Sequence, residues 1–168
     1  TGADLTGVDL TGANLAGATL AGVTSGGITG TPAALPAGTV LANGYLAGPG
    51  VNLSGADLTG ADLTGVDLTG ANLAGANLTG VTSGGITGTP AALPAGTVLA
   101  NGYLVGPGAD LTGADLTSAN LTGADLTGAD LTGAILTGVT SGGIKGNESS
   151  DITNTADGAT AVYAADLD

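Results

Sequence analysis

The sequence of 168 residues carries one basic side chain against 14 acidic ones, and its formal net charge is −13. This balance excludes direct binding to nucleic acid or to an anionic membrane surface, because both need lysines and arginines. Neither Cys nor His occurs, which excludes disulfides and thiolate metal sites, and no apolar run is long enough for a membrane helix. Aromatic residues make up only 2%, so we expect a narrow core of Leu, Val, Ile and Ala.

The start of the chain, 1–22, establishes a period of five. Leu occurs at every fifth position of three stretches, 5–20, 53–78 and 111–136. Ala or Val stands two residues before each of these leucines. The residue directly before the Leu is Asp or Asn, except at Thr19 and Ile135. Thr and Gly usually come next. This period matches neither a helix nor a plain strand. It predicts a coil that turns a corner every five residues, with Leu and the small residue inside and Gly at the corner.

Between the repeat stretches lies a different segment, residues 24–50, which recurs at 82–108 with one change, Ala47 to Val at 105. The sequence therefore has a second, longer period, which is the distance from position 24 to position 82. Asn43-Gly44 lies between two short apolar runs and predicts a two-residue β-hairpin turn. The sequence leaves open whether the segment stays in the coil or loops out. We expect a degenerate coil that carries a small hairpin.

Runs such as Ala-Asp-Leu-Thr-Gly at 56–60 and Val-Asp-Leu-Thr-Gly at 66–70 resemble the pentapeptide-repeat family. The segment at 24–50 resembles an element interspersed in bacterial members of that family. The resemblance implies an all-β fold, a right-handed quadrilateral β-helix with about 20 residues per coil. On that coil size we expect about three coils per long repeat. No catalytic residue is expected, since the carboxylates recur at one outward repeat position and no phosphate loop with its Lys is present.

On this reading residues 1–144 form a solenoid of 58-residue super-repeats, divided as 1–22 (partial), 23–80, 81–138 and 139–144 (partial). Residues 145–168 are expected to form a C-terminal cap or a tail. Because the chain starts inside a repeat, we expect a processed or partial protein. The leucines expected to form the core ladder are Leu58, Leu63, Leu68, Leu73, Leu78, Leu116, Leu121, Leu126, Leu131 and Leu136.

Positions 20 apart should share a column on the surface. This places Asn52 against Asn72, where amide ladders can form, and Asp110 against Asp130, where like charges repel. No cofactor is expected. Calcium is the metal that suits such carboxylates, and Asp57, Asp110 and Asp130 are its candidate ligands, with diffuse counterion binding as the competing interpretation.

Two classes of function fit these observations. The first is a non-enzymatic structural protein at the cell surface or outside the cell, which assembles with itself by end-to-end stacking or dimerisation. The second, implied by the family resemblance, is a cytoplasmic, acidic mimic of DNA that binds a basic protein surface such as that of DNA gyrase. A lesser alternative is ice binding through stacked threonines, such as Thr59 with Thr79 and Thr112 with Thr132.

Overall fold

The computed structural model describes residues 2–143 and 145–146. These residues form a stack of coils joined by parallel β-bridges, and the named strands are confined to two short hairpins. The predicted cap or tail lies outside the described residues except for Lys145 and Gly146. Lys145 pairs with Asp125 and so continues the ladder of the stack.

Each five-residue repeat makes one side and one corner of a coil. In residues 56–60, Ala56 and Leu58 are buried and Asp57 between them is exposed. A four-residue turn follows, in which the Ala61 amide donates to the Leu58 carbonyl at 2.9 Å. Gly60 is the second central residue of this turn and has φ 66°, a value that favours glycine. The repeat therefore encodes two inward residues, one outward residue and a corner.

Four such repeats close one coil. The outward residues of one coil, Asn52, Asp57, Asp62 and Asp67, pair in turn with those of the next coil, Asn72, Asn77, Thr82 and Thr87. We call the sides of the coil faces 1, 2, 3 and 4 after the first four residues. The hydrogen bonds run in both directions: the Asn77 amide donates to the Ala56 carbonyl at 2.9 Å, and the Leu58 amide donates to the Asn77 carbonyl at 3.0 Å. The predicted four-sided β-helix, with its predicted coil size, is confirmed.

The interspersed segments contain the predicted hairpins. Strand β1 (Val40–Ala42) pairs antiparallel with β2 (Tyr45–Ala47), and β3 (Val98–Ala100) pairs in the same register with β4 (Tyr103–Val105). Asn43 and Gly44 both have positive φ, 49° and 77°, as a type I′ turn requires. The hairpin prediction from Asn43-Gly44 is confirmed.

The first hairpin lies across the coil instead of projecting from it. At its base, on face 4, the Gly38 carbonyl accepts the Asp67 amide at 2.9 Å. At its tip, on face 2, the Gly44 carbonyl accepts the Ile28 amide at 3.0 Å, and Asn43 Nδ2 donates to the Thr59 carbonyl at 2.7 Å. The hairpin is therefore an extra layer that runs from one face to the opposite one. The sequence left open whether the segment stays in the coil or loops out, and the structure shows that it stays within the solenoid.

Small residues make room for this layer. Ser25 and Gly30 stand where ordinary repeats carry Leu. Ser25 is 6% exposed, and its Oγ accepts the Leu46 amide at 3.0 Å, while Leu46 and Ala47 are fully buried. Leu46 therefore fills the volume that a central Leu would otherwise occupy. Ser83 and Leu104 repeat the same contact, also at 3.0 Å.

The hairpins also change the number of coils that one long repeat makes. Thr24 pairs with Asn52 and Thr82 pairs with Asp110, a step of 28 along the chain, whereas Asn52 pairs with Asn72, a step of 20. Each hairpin thus uses eight residues of a long repeat, and the rest of that repeat makes two and a half coils. The expectation of three coils per long repeat is wrong for this reason. Successive hairpins consequently start on opposite faces: Gly96, at the base of the second, accepts the amide of Asp125 on face 2.

A column of leucines fills the interior. Of the ten expected core leucines, nine are buried, and Leu136 is partly buried against them. The core comprises two clusters that meet at the second hairpin, where Leu104 belongs to the first cluster and Val105 to the second. Because neighbouring residues of a strand point to opposite sides, this hairpin is a layer shared by both parts of the core.

Candidate functional surface

The outward Asp and Asn side chains close the corners of the coils. Asp62 Oδ1 accepts the Thr64 amide at 2.9 Å, and Asn72 Oδ1 accepts the Ala74 amide at 3.1 Å. The same bond recurs along the stack, as in the Asx-turns that Asp and Asn form generally. Both side chains supply the Oδ1 acceptor that the corner needs, which explains why they interchange at this position.

The threonine that follows most of the central leucines adds a second hydrogen bond at many corners. Thr69 Oγ1 donates to Asp67 Oδ1 at 2.6 Å, and Thr117 does the same to Asp115. The hydrogen bonds from the Thr hydroxyl and then the Thr amide hold the pKa of these exposed carboxyls below the usual range. The carboxyls with a lowered pKa are Asp4, Asp9, Asp57, Asp62, Asp67, Asp115, Asp125 and Asp130. They carry their charge at neutral pH, which suits a fixed acidic surface.

Stacked side chains form the expected columns. Asn72 Nδ2 donates to Asn52 Oδ1 at 3.3 Å, as in an amide ladder. Asn77 Nδ2 lies 3.4 Å from Asp57 Oδ1 and 2.9 Å from Thr59 Oγ1. An Asn above an Asp thus replaces a like-charge contact with a hydrogen bond.

The calcium candidates do not converge on one site. Asp110 and Asp130 are bridge partners on face 3, whereas Asp57 lies on face 2. Within residues 2–143 and 145–146, no group of three or more carboxylates is placed to hold a metal ion. Asp57 Oδ1 already accepts two hydrogen bonds from Thr59. Calcium binding stays a prediction, and the Asp110–Asp130 pair is where it would be tested.

The stacked threonines lie at the corners of the coils. The hydroxyls of Thr59 and Thr79 donate to Asp57 and Asn77 respectively, and Asn77 Nδ2 donates in turn to Thr59 Oγ1. Their hydroxyl groups are therefore tied into the surface network of the protein. The four flat faces of the coils instead carry the outward Asp and Asn side chains.

Charge is distributed unevenly over the four faces. Eight of the nine repeat aspartates lie on faces 2, 3 and 4, and face 1 has only Asp4. We call the rest of face 1 the uncharged face. Its outward residues in successive coils are Thr24, Asn52, Asn72, Ala92, Asn120 and Thr140.

Tyr45 has a role that the sequence did not indicate. Its ring packs against Gly26, where an added Cβ would lie 3.1 Å from the ring, and its hydroxyl accepts the Asp57 amide at 3.4 Å. This hydroxyl replaces the ladder carbonyl of the preceding coil at the place where the hairpin separates two coils. Ser25, in register with the central leucines, was the available sequence indication that something else fills the interior there.

In the part of the chain that the structure describes, no helix is both long enough and apolar enough to span a membrane.

Comparison with known proteins identifies the family of the repeats. The family model for pentapeptide repeats matches eight copies over residues 1–24, 50–82 and 108–139, which is more than half of the chain. Among solved structures, the chain is similar to HetL, a pentapeptide repeat protein involved in heterocyst differentiation regulation from the cyanobacterium Nostoc sp. strain PCC 7120. The identity is 31% and the TM-score 0.26, and the match covers 86% of this chain but 58% of HetL. No curated protein matches. The chain belongs to the pentapeptide-repeat family, and its fold is the right-handed quadrilateral β-helix.

Proposed function

We propose that the protein is a non-enzymatic structural scaffold, outside the cell or on its surface, whose solenoids associate end to end. The observation that carries this proposal is that each coil has two different edges of backbone hydrogen-bonding groups, one toward the coil before it and one toward the coil after it. The Asn77 amide donates to the coil before it, whereas the Leu58 and Gly60 amides donate to the coil after it. The leading edge of one regular coil is therefore complementary to the trailing edge of another.

This complementarity favours open-ended assembly. A coil from a second molecule can continue the ladder with the hydrogen bonds that already join coils within one chain. Head-to-tail contacts of this kind give filaments when the rotation does not close a ring. The near identity of the two interspersed segments favours the same function, because repeated coils offer repeated bonding surfaces and little position-specific chemistry.

The chemistry of the surface supports a non-enzymatic role. The carboxylates of Asp57 and Asp67 are ionised at neutral pH and are engaged by Thr59 and Thr69. An acid catalyst would need the opposite, a carboxyl whose pKa lies near the working pH.

Electron microscopy together with light scattering over a range of protein concentrations, with and without calcium, tests the proposal. We expect scattering to rise with concentration and uniform filaments one solenoid or a few solenoids wide. Filaments that require calcium would mean that the backbone ladder alone does not join the chains and that a cation bridges them. A discrete monomer or dimer at every concentration would exclude the filament.

A second candidate function is mimicry of DNA toward a basic protein such as DNA gyrase, in the cytoplasm. Three adjacent faces of one coil carry Asp57, Asp62 and Asp67, and this concentration of charge favours a basic partner. The test is inhibition of gyrase supercoiling by the wild type and by a variant with these three residues changed to Asn. The Asn side chains keep the corner bonds, as Asn72 does. Inhibition by the wild type and not by the variant would support mimicry, and no inhibition by either would exclude gyrase as the target.

Ice binding through threonines has less support. The hydroxyls of Thr59 and Thr79 already bond to their own corners, so they are poorly placed to order water into a flat lattice. Thermal hysteresis of the freezing point would be the decisive measurement for this alternative.

A further inference from the structure

We propose that the uncharged face is a lateral interface for a second copy of this chain, packed side by side. This contact goes beyond end-to-end assembly and does not depend on it, because it uses the side of the solenoid. The coil at positions 52–71 shows the asymmetry most clearly. It presents Asn52 on face 1, whereas Asp57, Asp62 and Asp67 occupy the other three faces.

Charge determines which face a second copy can approach. Two chains of net charge −13 repel each other, and the repulsion is strongest where carboxylates face each other within a Debye length of about 8 Å. Contact through face 3 would oppose the Asp62, Asp110 and Asp130 columns of both molecules. Contact through the uncharged face opposes only Thr, Asn and Ala side chains. A second copy of the same chain is therefore best accommodated there.

The shape of the uncharged face suits close contact. Asn52 is bridged directly to Thr24 and to Asn72, and Asn72 to Ala92, so four successive coils form an unbroken ladder. Asn52, Asn72 and Ala92 are all half-buried short side chains. One Nδ2 hydrogen of Asn72 is used in the bond to Asn52, which leaves the other free for a partner. Such a face is flat and has hydrogen-bonding capacity without charge.

The size of the face predicts a weak association. The second hairpin separates Ala92 from Asn120, so the continuous part of the face is the ladder from Thr24 to Ala92. Four layers about 4.8 Å apart and a side of three residues give roughly 200 Å² per copy, well below the approximately 800 Å² of a stable interface. We therefore expect a dimer only at high protein concentration. Salt should strengthen it by screening the remaining acidic faces, whereas salt would weaken binding to a basic partner.

Sedimentation equilibrium of wild type, Asn52→Asp and Asn77→Asp at low and high salt tests the interface. Both variants add one negative charge, but on face 1 and on face 2 respectively. Both keep the Oδ1 acceptor of their corner, and each creates a stack that the chain already contains: Asp under Asn, as in Asp57–Asn77, and Asp under Asp, as in Asp110–Asp130. We expect at least a tenfold loss of association for Asn52→Asp and less than a twofold change for Asn77→Asp.

Disulfide cross-linking complements sedimentation, because it detects the contact directly and not through a loss of association. Because the chain has no Cys, Asn52→Cys or Asn77→Cys can form disulfides only between molecules. We expect Asn52→Cys to give a disulfide-linked dimer several-fold faster than Asn77→Cys. Equal rates for the two variants, equal weakening by the two charge changes, or a wild type that is monomeric at all concentrations and salts would overturn the proposal. Loss of the lateral dimer in Asn52→Asp with filaments unchanged would support the lateral contact and show that it is separate from end-to-end stacking.

Discussion

Gly38 lies directly against Asp67 of the following coil. A Cβ on Gly38 would be 2.7 Å from the Asp67 Cβ, and the Gly38 carbonyl accepts the Asp67 amide at 2.9 Å. Gly96 and Asp125 repeat this contact at 2.7 Å in the second interspersed segment. The contact marks the point at which each hairpin leaves the wall of the coil, so any side chain there forces the two coils apart.

Substitution of this glycine should cost more than its backbone conformation alone explains. Gly38 and Gly65 have the same φ, 71°, but an added Cβ at Gly65 meets nothing within 4 Å. We expect Gly65→Ala to lose about 1–2 kcal/mol of unfolding free energy through backbone strain. Gly38→Ala should lose about 1–3 kcal/mol more through overpacking. Denaturant unfolding of both variants measures the difference, and equal losses would show that the coils are not in contact at Gly38.

Restoring the repeat consensus at Ser25 should destabilise the fold. Leu at an ordinary central position contributes about 1.5–3 kcal/mol. At position 25, however, Leu46 already fills the interior and needs the Ser25 hydroxyl as acceptor for its amide. Ser25→Leu should therefore lower the unfolding free energy by several kcal/mol, from overpacking and a buried amide without a partner. Ser25→Ala isolates the second cause and should cost about 1–3 kcal/mol. A stabilised Ser25→Leu would mean that the hairpin is not inside the coil.

Two paired residues of the hairpin should differ in their contribution to stability. Leu41 and Leu46 are directly opposite in the register, but Leu46 is fully buried and Leu41 only partly. Leu46→Ala should cost about 2–5 kcal/mol, as for a fully enclosed core residue, and Leu41→Ala clearly less. Thermal and denaturant unfolding provide the values. Similar small losses for both would place the hairpin outside the solenoid.

Stability should fall in acid because of the corner carboxylates. Hydrogen bonds from threonine lower the folded-state pKa of groups such as Asp57, Asp62 and Asp67, so these groups stabilise the fold when ionised. Their contribution is complete above the unfolded pKa of about 3.9 and is lost as the pH falls through the folded-state pKa. We expect a constant melting temperature from pH 7 to about pH 5 and a decline below about pH 4.

The variant with Asn at positions 57, 62 and 67 provides the control for this pH dependence. Asn keeps the acceptor but does not titrate in this range, so its melting temperature should decline less below pH 4. If stability instead rises as the wild type is acidified, relief of repulsion between the acidic columns outweighs the corner bonds.

The sequence predicted the parts of the fold that depend on the local repeat. The five-residue period of Leu58, Leu63 and Leu68 specifies the inward position and the corner, because each repeat carries its own turn, whereas the coil size was implied by the resemblance to the pentapeptide-repeat family. Asn43-Gly44 specifies a hairpin for the same local reason. The stacking of Asn52 on Asn72 then follows from coil size alone.

The parts that depend on the path of the hairpin could not be predicted. Whether Leu46 lies inside or outside the coil depends on the bonds of Leu46 to Ser25 and of Gly44 to Ile28, residues far from the hairpin in sequence. The half-coil shift between long repeats depends on the eight residues that the hairpin removes from the wall. That shift determines which face Asp110 and Asn120 occupy, so the uncharged face is also not evident from the sequence.

Fibre diffraction from aligned, concentrated protein is the measurement that tests end-to-end assembly most directly. End-to-end assembly predicts a strong reflection at about 4.8 Å along the filament axis, since coils of successive molecules continue one ladder. Filaments without an axial spacing of about 4.8 Å, or a solution that yields no filaments at any concentration, would contradict end-to-end assembly.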